Sequence, residues 1–204
     1  MECVYREKEE VQAPLLETER LLFRPFRESD AEAVFAFCQN PKLGNNDGWA
    51  PHRTVEESHE ILRKVFMGQE SIWVITLRDS GEIVGTAGLI PDPKRQNSGV
   101  RMLSYWLGEP HWGKGYMTEA VRVVLDYGFR ELHLSLISAA CYPHNKRSQQ
   151  VLKRSGFQYE GKLHQAELTA DGKVYDHLCY SLTQNLKFSL KQCLAANLSR
   201  QMLL

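Results

Sequence analysis

"HWGKGYMTEA", residues 111 to 120, sets two glycines on either side of a lysine, behind an aromatic pair and ahead of the helix-forming run "MTEAVRVVLDYGF". The first amides of a helix have no carbonyl partner, and the helix dipole adds roughly half a positive charge beside them. Glycines let a ligand approach those amides, so the stretch reads as an anion-binding turn. Working outward from it decides the fold. "VRMLSYWLG" (100 to 108) ahead of the turn and "HLSLISAACY" (133 to 142) behind the helix both read as strands. The turn therefore lies in a strand–helix–strand crossover, at the carboxyl end of a strand, where ligands lodge in such sheets.

The flanking segments have their own periods. "ERLLFRPF" (19 to 26) reads as a strand, with Pro25 marking an edge or an end. Ser29 and Glu32 have capping-box spacing, and Ala31, Val34, Phe35 and Cys38 form one face of a helix. "NPKLGNNDGWAPH" (40 to 52) reads as a loop by its breakers, yet it carries Trp49 and His52. Thr54 and Glu57 make a second capping box before the stripe Val55, Ser58, Leu62, Val65 and Phe66. "SIWVITL" (71 to 77) and "IVGTAGLI" (83 to 90) then read as a hairpin around "RDSGE". After the crossover, Asn145 caps a short helix over 145 to 155 that Gly156 stops. The strands "FQYEGKLHQAEL" and "KVYDHLCYSL" follow, joined by "TADG".

The order β-αα-βββ-α-β-α-ββ predicts an α+β fold, a mixed and mostly antiparallel sheet flanked by helices. Residues 1–14 are expected to be an extension and 15–183 the domain. Residues 184–204 are expected to form an amphipathic helix, with Leu186, Leu190, Leu194, Leu198 and Met202 on one face, packed on the domain or on a dimer partner. Trp73, Trp106 and Phe129 are expected in the core.

With 204 residues, 43% hydrophobic and 25% charged, the chain suits one domain. The net charge is zero but uneven: residues 101 to 155 hold eight Lys or Arg against four Asp or Glu, and residues 1 to 30 hold five against eight. The positive excess coincides with the glycine turn, which favours a small polyanionic ligand; a nucleic-acid binder would be more basic overall. Five cysteines without a C-x-x-C pair argue for free thiols in a reducing compartment. "MECVYREKEE" lacks the apolar stretch of a signal peptide and no run suits a membrane span, so the expected location is the cytoplasm. His52 and His59 are seven apart and no other grouping has ligand spacing, so no metal is expected.

Two familiar phosphate loops fail the test. Lys114 is followed by Gly115 and Tyr116 rather than by Ser or Thr, and the dinucleotide fingerprint has Thr118 in its third glycine place. "YWLGEPHWGKGYMTEAV" followed by "PHNKRSQQVLKRSGFQYEG" resembles instead the acetyl-coenzyme A binding core of the GNAT acetyltransferase superfamily. "LLETERLLFRPFRESDAEAVF" and "WAPHRTVEES" are similar to its ribosomal-protein N-terminal acetyltransferase (RimJ/RimL-type) branch, and the resemblance spans roughly 15 to 183. The chain departs from the superfamily loop at Trp112, where Gln or Arg stands, and at Met117, where a small residue stands.

The resemblance implies a sheet splayed between the strands at 100 to 107 and 133 to 142, with the pantetheine arm of acetyl-CoA in the gap. It assigns backbone groups of Tyr105, Trp106 and Leu107, and the Asn145 side chain, to that arm. Amides from Gly113 through Lys114, Gly115, Tyr116 and Met117 to Thr118, behind Trp112, go to the pyrophosphate. Lys114, Lys146, Arg147 and Lys153 supply positive charge. It gives Glu167 the role of general base toward the amine and Ser148 that of proton donor to the thiolate, with Tyr142 as a rival donor. Trp49 and His52 would line the acceptor pocket, and Asp176 and Tyr180 would support it.

Direct transfer from a thioester to an amine needs a base, oxyanion stabilisation and an acid, but no covalent enzyme intermediate. An α-amine is roughly a tenth neutral at pH 7, and a lysine costs about 3.5 kcal/mol more to deprotonate. A site with one carboxylate thus suits a protein N-terminus. A small amine such as a polyamine or an antibiotic, and a non-catalytic acyl-CoA sensor, stay open as alternatives. So does the choice between monomer and homodimer.

Overall fold

The computed structural model describes residues 12–169 and 171–184. Its strands are β1 (Leu16–Glu17), β2 (Leu21–Arg24), β3 (Ile72–Leu77), β4 (Ile83–Pro91), β5 (Val100–Leu107), β6 (Leu136–Cys141), β7 (Gln158–Leu168) and β8 (Val174–Thr183). Its helices are α1 (Ala31–Cys38), α2 (Pro41–Asp47), α3 (Val55–Ile61), α4 (Tyr116–Arg130) and α5 (Lys146–Arg154). All eight strands form one sheet in the order β1-β2-β3-β4-β5-β6-β8-β7, antiparallel except for the parallel pair β5–β6. This is the expected α+β architecture. The amphipathic helix expected over 184–204 lies, but for its first residue, outside the described residues.

Both faces of the sheet centre are covered, and β3 shows how. Trp73 and Ile75 point into a main core with α4, while Ile72 and Val74 point into a second core under α1, α2 and α3. Alternation along the strand sends successive side chains to opposite faces, so a strand buried on both sides reads as a continuous apolar run. α4 offers Met117, Ala120, Val121, Val124, Leu125 and Gly128 as one buried stripe; each fully buried Val or Leu contributes about 1.5–3 kcal/mol. Trp73 and Trp106 are buried, and Phe129 packs against the main core at its margin.

Three local readings change. The 40–52 segment is not all loop: α2 occupies it. Its Asn40 side chain accepts from the Lys42 amide, Pro41 starts the helix, and Gly48 ends it in the left-handed region at φ +83°. Those residues punctuate a helix of seven residues. Val65 leaves the expected stripe because Leu62–Phe66 is a π-helical turn, whose extra residue rotates Val65 out to 49% exposure. Ser29 does not cap α1. Asp30 does the local work, accepting from the Arg27 amide at 2.8 Å and taking both guanidinium nitrogens of Arg24 at 2.8 Å.

Asp30 is 3% exposed. Replacing it with alanine strands Arg24 in the second core, and is expected to cost about 3–5 kcal/mol, read as a fall in the denaturant midpoint. A loss below about 1 kcal/mol, as for an exposed pair, would show that the pair is surface decoration.

The site is positioned by a mismatch of strands. β5 and β6 pair only through Val100, Arg101 and Met102 with Leu136, Ile137 and Ser138. Beyond Met102, β5 keeps β4 on one side and, among the described residues, has no strand on the other, while β6 continues with β8. The sheet splays open there.

Candidate active site

At the end of β5 the chain makes a short turn and enters α4. Gly113 and Gly115 take φ +78° and +83°, a conformation that side chains resist. No side chain caps α4, and the amides from Gly113 to Thr118 find no acceptor among the described residues. Met117 departs from the superfamily loop without obstructing it, because its side chain is buried in the main core. From outside, Arg20 splints the turn: it donates to the Lys114 carbonyl at 3.1 Å, pairs with Glu119 at 2.5 Å and stacks over Tyr116. Arg147 lies 3.8 Å over the Trp112 ring. Free amides, a helix dipole and guanidinium groups make a cradle suited to a pyrophosphate.

A cavity of about 180 Å³ runs from this cradle into the splay, walled by the turn, α5 and the end of α2. A second cavity of about 240 Å³ lies beyond it, walled by β5, the end of β6, β7 and β8. The two share Asn46, Asp47, Tyr105, Trp106, Asn145 and Ser148, and so meet at a common partition. α2 roofs that junction. Its last carbonyls, which no helix amide can reach, are met from the α5 side: His144 Nε2 lies 3.2 Å from the Asn45 oxygen, and Asn145 Nδ2 donates to the Asn46 oxygen at 3.3 Å.

Two constellations flank the partition. In the first, Ser148 Oγ and Tyr105 OH are 2.7 Å apart, and the Cys141 thiol is within hydrogen-bonding reach of the same serine. Burial pushes the Tyr105 phenol up, and pushes Cys141 up to about 11, so both keep their protons at neutral pH. In the second, Glu167 Oε2 accepts from Tyr142 OH at 2.9 Å and lies 2.8 Å from His177 Nε2. That leaves Oε1 as the carboxylate atom without a bond among the described residues. Glu167 reaches this place through a bulge: Leu163 pairs with His177, but Glu167 already pairs with Tyr175. Gln165 takes φ +50° inside the bulge, and its amide is held by Asp176 at 2.9 Å. Across from Glu167, burial pushes the Asp47 carboxyl up to about 8, reinforced by the negative charge of Glu167.

Of the residues singled out in the sequence, Tyr105, Trp106, Leu107, Trp112, Gly113, Gly115, Tyr116, Met117, Thr118, Asn145, Arg147 and Ser148 all line the first cavity. Glu167 and Trp49 line the second. Others stand elsewhere. His52 is 8% exposed, its Nδ1 2.7 Å from Ser58 Oγ, and lines neither cavity; it belongs to the packing of α3. Lys114, Lys146 and Lys153 are exposed and form no part of the walls, where Arg154 stands instead. The Leu107 carbonyl is taken by the Trp112 indole at 2.6 Å. Both ends of the Asn145 amide are engaged, one with Asn46 and one with the Ser148 amide. Tyr142 is spent on Glu167 and does not border the first cavity. Asp176 supports the bulge, whereas Tyr180 packs on Tyr159 and the main core. The sequence reading missed the Tyr105 hydroxyl, His177 and Arg20, which only tertiary structure brings to the site.

The chain has known relatives. Residues 20–158 match the family model of the acetyltransferase (GNAT) domain. The chain is 32% identical over 171 residues to the uncharacterized N-acetyltransferase p20 of Bacillus licheniformis, covering 82% of this chain and 94% of that one. It is 37% identical over 105 residues to the [ribosomal protein uS5]-alanine N-acetyltransferase of Escherichia coli, covering 52% and 53%. The crystal structure of a GNAT-family acetyltransferase from Bacillus anthracis superposes with a TM-score of 0.74 at 25% identity, over 83% of this chain and 98% of that one. The chain thus belongs to the GNAT acetyltransferases and is an N-acetyltransferase acting on an amine acceptor.

Proposed function

We propose that the acceptor is the α-amine of a protein N-terminus, that Glu167 is the base and that Ser148 is the acid. The observation that carries this reading is one oriented carboxylate beside the partition. Glu167 is oriented through Oε2 and keeps Oε1 available, while Asp47 stays largely neutral at pH 7. One carboxylate suffices for an amine whose pKa is near 8 and falls short for a lysine. The apolar walls from Trp49, Met102, Leu103 and Trp106 suit a peptide end. The likeness to a ribosomal-protein alanine acetyltransferase supports the same class.

GNAT acetyltransferases use acetyl-CoA, and the cradle fits its pyrophosphate; when bound, the cofactor supplies the acetyl thioester. Amides from Gly113 to Thr118, with Arg147 and Arg154, would hold the phosphates, and the open edge of β5 beyond Met102 would face the arm. Glu167 takes the proton from the acceptor nitrogen, directly or through one water. Ser148 Oγ gives a proton at the leaving sulfur and recovers one through Tyr105 OH. Cys38, Cys141 and Cys179 are free thiols and no helix among the described residues is long and apolar enough to cross a membrane, which supports work in the reducing cytoplasm.

The test presents the protein with acetyl-CoA and a mixture of free-N-terminus peptides, N-blocked lysine peptides, spermidine and an aminoglycoside, read by mass spectrometry. Acetylation of the free N-termini is expected. Gain on spermidine or the aminoglycoside alone sinks the N-terminal reading, and binding of acetyl-CoA with no acetylation of any amine points to a sensor.

A further inference from the structure

The second cavity is electrically polarised along its length. Its inner end carries the Glu167 carboxylate, beside the partition. Lys94 stands in the same wall but comes from the β4–β5 loop. Pro91 pairs with Arg101 and Ile90 with Met102, so that loop leaves the sheet at the Met102 end of β5. Asp47 borders both cavities and therefore stands at the Tyr105 end. Three residues of strand separate the two ends, about 10 Å.

Lys94 makes no ion pair among the described residues. The cations near it are engaged: Arg95 with Asp92 and Glu160, Arg101 with Glu70, Lys162 with Asp176. An exposed lysine in the wall of a substrate cavity, with no ion pair among the described residues, repels a cation and welcomes an anion at that end. A polyamine, cationic at every nitrogen, meets Lys94 unfavourably once its first amine sits at Glu167. A peptide spans at most about 3.3–3.6 Å per residue, so a group about 10 Å from the amine belongs to the second or third residue.

Resting on the N-terminal reading above, we infer that the preferred acceptor is a peptide with an acidic side chain at its second or third position, its amine at Glu167 and its carboxylate against Lys94. Lys94 is thus a specificity-determining residue on the acceptor side. Glu167 sets where the amine stops; Lys94 reads the side chains behind it.

The experiment uses the full chain, acetyl-CoA and two peptides with free N-termini that differ only in carrying Asp or Lys at both the second and the third residue. The wild type is expected to favour the Asp peptide by about two- to five-fold in kcat/KM, as for an exposed ion pair, with the difference in KM. Lys94→Glu is expected to reverse the order and Lys94→Ala to bring the two peptides together. CoA binding by calorimetry, retained in both variants, shows that they are folded. Equal kcat/KM for the two peptides in the wild type, or an order that K94E leaves in place, overturns the inference while the N-terminal reading stands. Acetylation of spermidine with neither peptide modified overturns both.

Discussion

Glu167→Gln is expected to lower kcat for a peptide N-terminus by about 10²- to 10³-fold at pH 7, within the range that general base catalysis supplies, while CoA binds as before. Glutamine keeps the volume of the side chain and a carbonyl oxygen for Tyr142 and His177, which now meet at Oε2. What it loses is the ability to take a proton. The pH profile separates this from a change in positioning. An α-amine with a pKa near 8 is already neutral at pH 9, so the deficit should narrow as pH rises if Glu167 acts as base. Turnover equal to wild type at pH 7 removes Glu167 from the mechanism, and a deficit constant across pH 6 to 9 makes it a positioning residue.

Gly48→Ala should do comparable harm from outside the chemistry. Gly48 ends α2 at φ +83°, and an added Cβ would fall inside the van der Waals envelope of Tyr142 OH and 2.6 Å from Glu167 Oε1. Both obstructing atoms are the far ends of side chains, so the cheap relief is to push them aside. That displaces the pair the base depends on. A shift of about 1 Å at such a site can cost about 10²-fold, whereas holding alanine in the left-handed region costs only about 1–2 kcal/mol of stability. The expected result is a kcat lowered by at least an order of magnitude, a modest fall in Tm and unchanged CoA affinity. A variant with normal kcat would mean that the roof yields instead, and that α2 is not a fixed reference for Glu167.

Much of the cofactor side was legible because its signals are local. The glycine turn, the uncapped start of α4 and the Asn145 cap of α5 are each written in adjacent residues, and the structure has each of them. The acceptor side resisted reading because its signals are not local. α2 buries only Leu43 and Gly44, too few apolar positions for a helical period, so its cap residues looked like breakers. Glu167 and His177 lie on different strands and meet through a bulge whose register depends on Asp176, three elements that no spacing rule links. His52 was misread for the opposite reason: a histidine in a loop suggests a site, but this one spends its ring nitrogen on Ser58. Of the four cations expected near the phosphates, Lys114, Lys146, Arg147 and Lys153, only Arg147 lines the cavity, because the helical turn of α5 presents it together with Arg154, seven residues on.

The three-residue join between β5 and β6 also bears on how such a protein can change over time. The first cavity takes its walls from β5, the glycine turn, α4, α5 and the end of α2, and the second from α2, the 92–99 loop, β5, β6, β7 and β8. Only the partition is common to both. Under the proposed function, substitutions beyond it would exchange one acceptor for another without rebuilding the donor side, a fixed engine with a replaceable socket. Drift in Lys94 or Trp49 would alter what is acetylated long before it altered whether anything is.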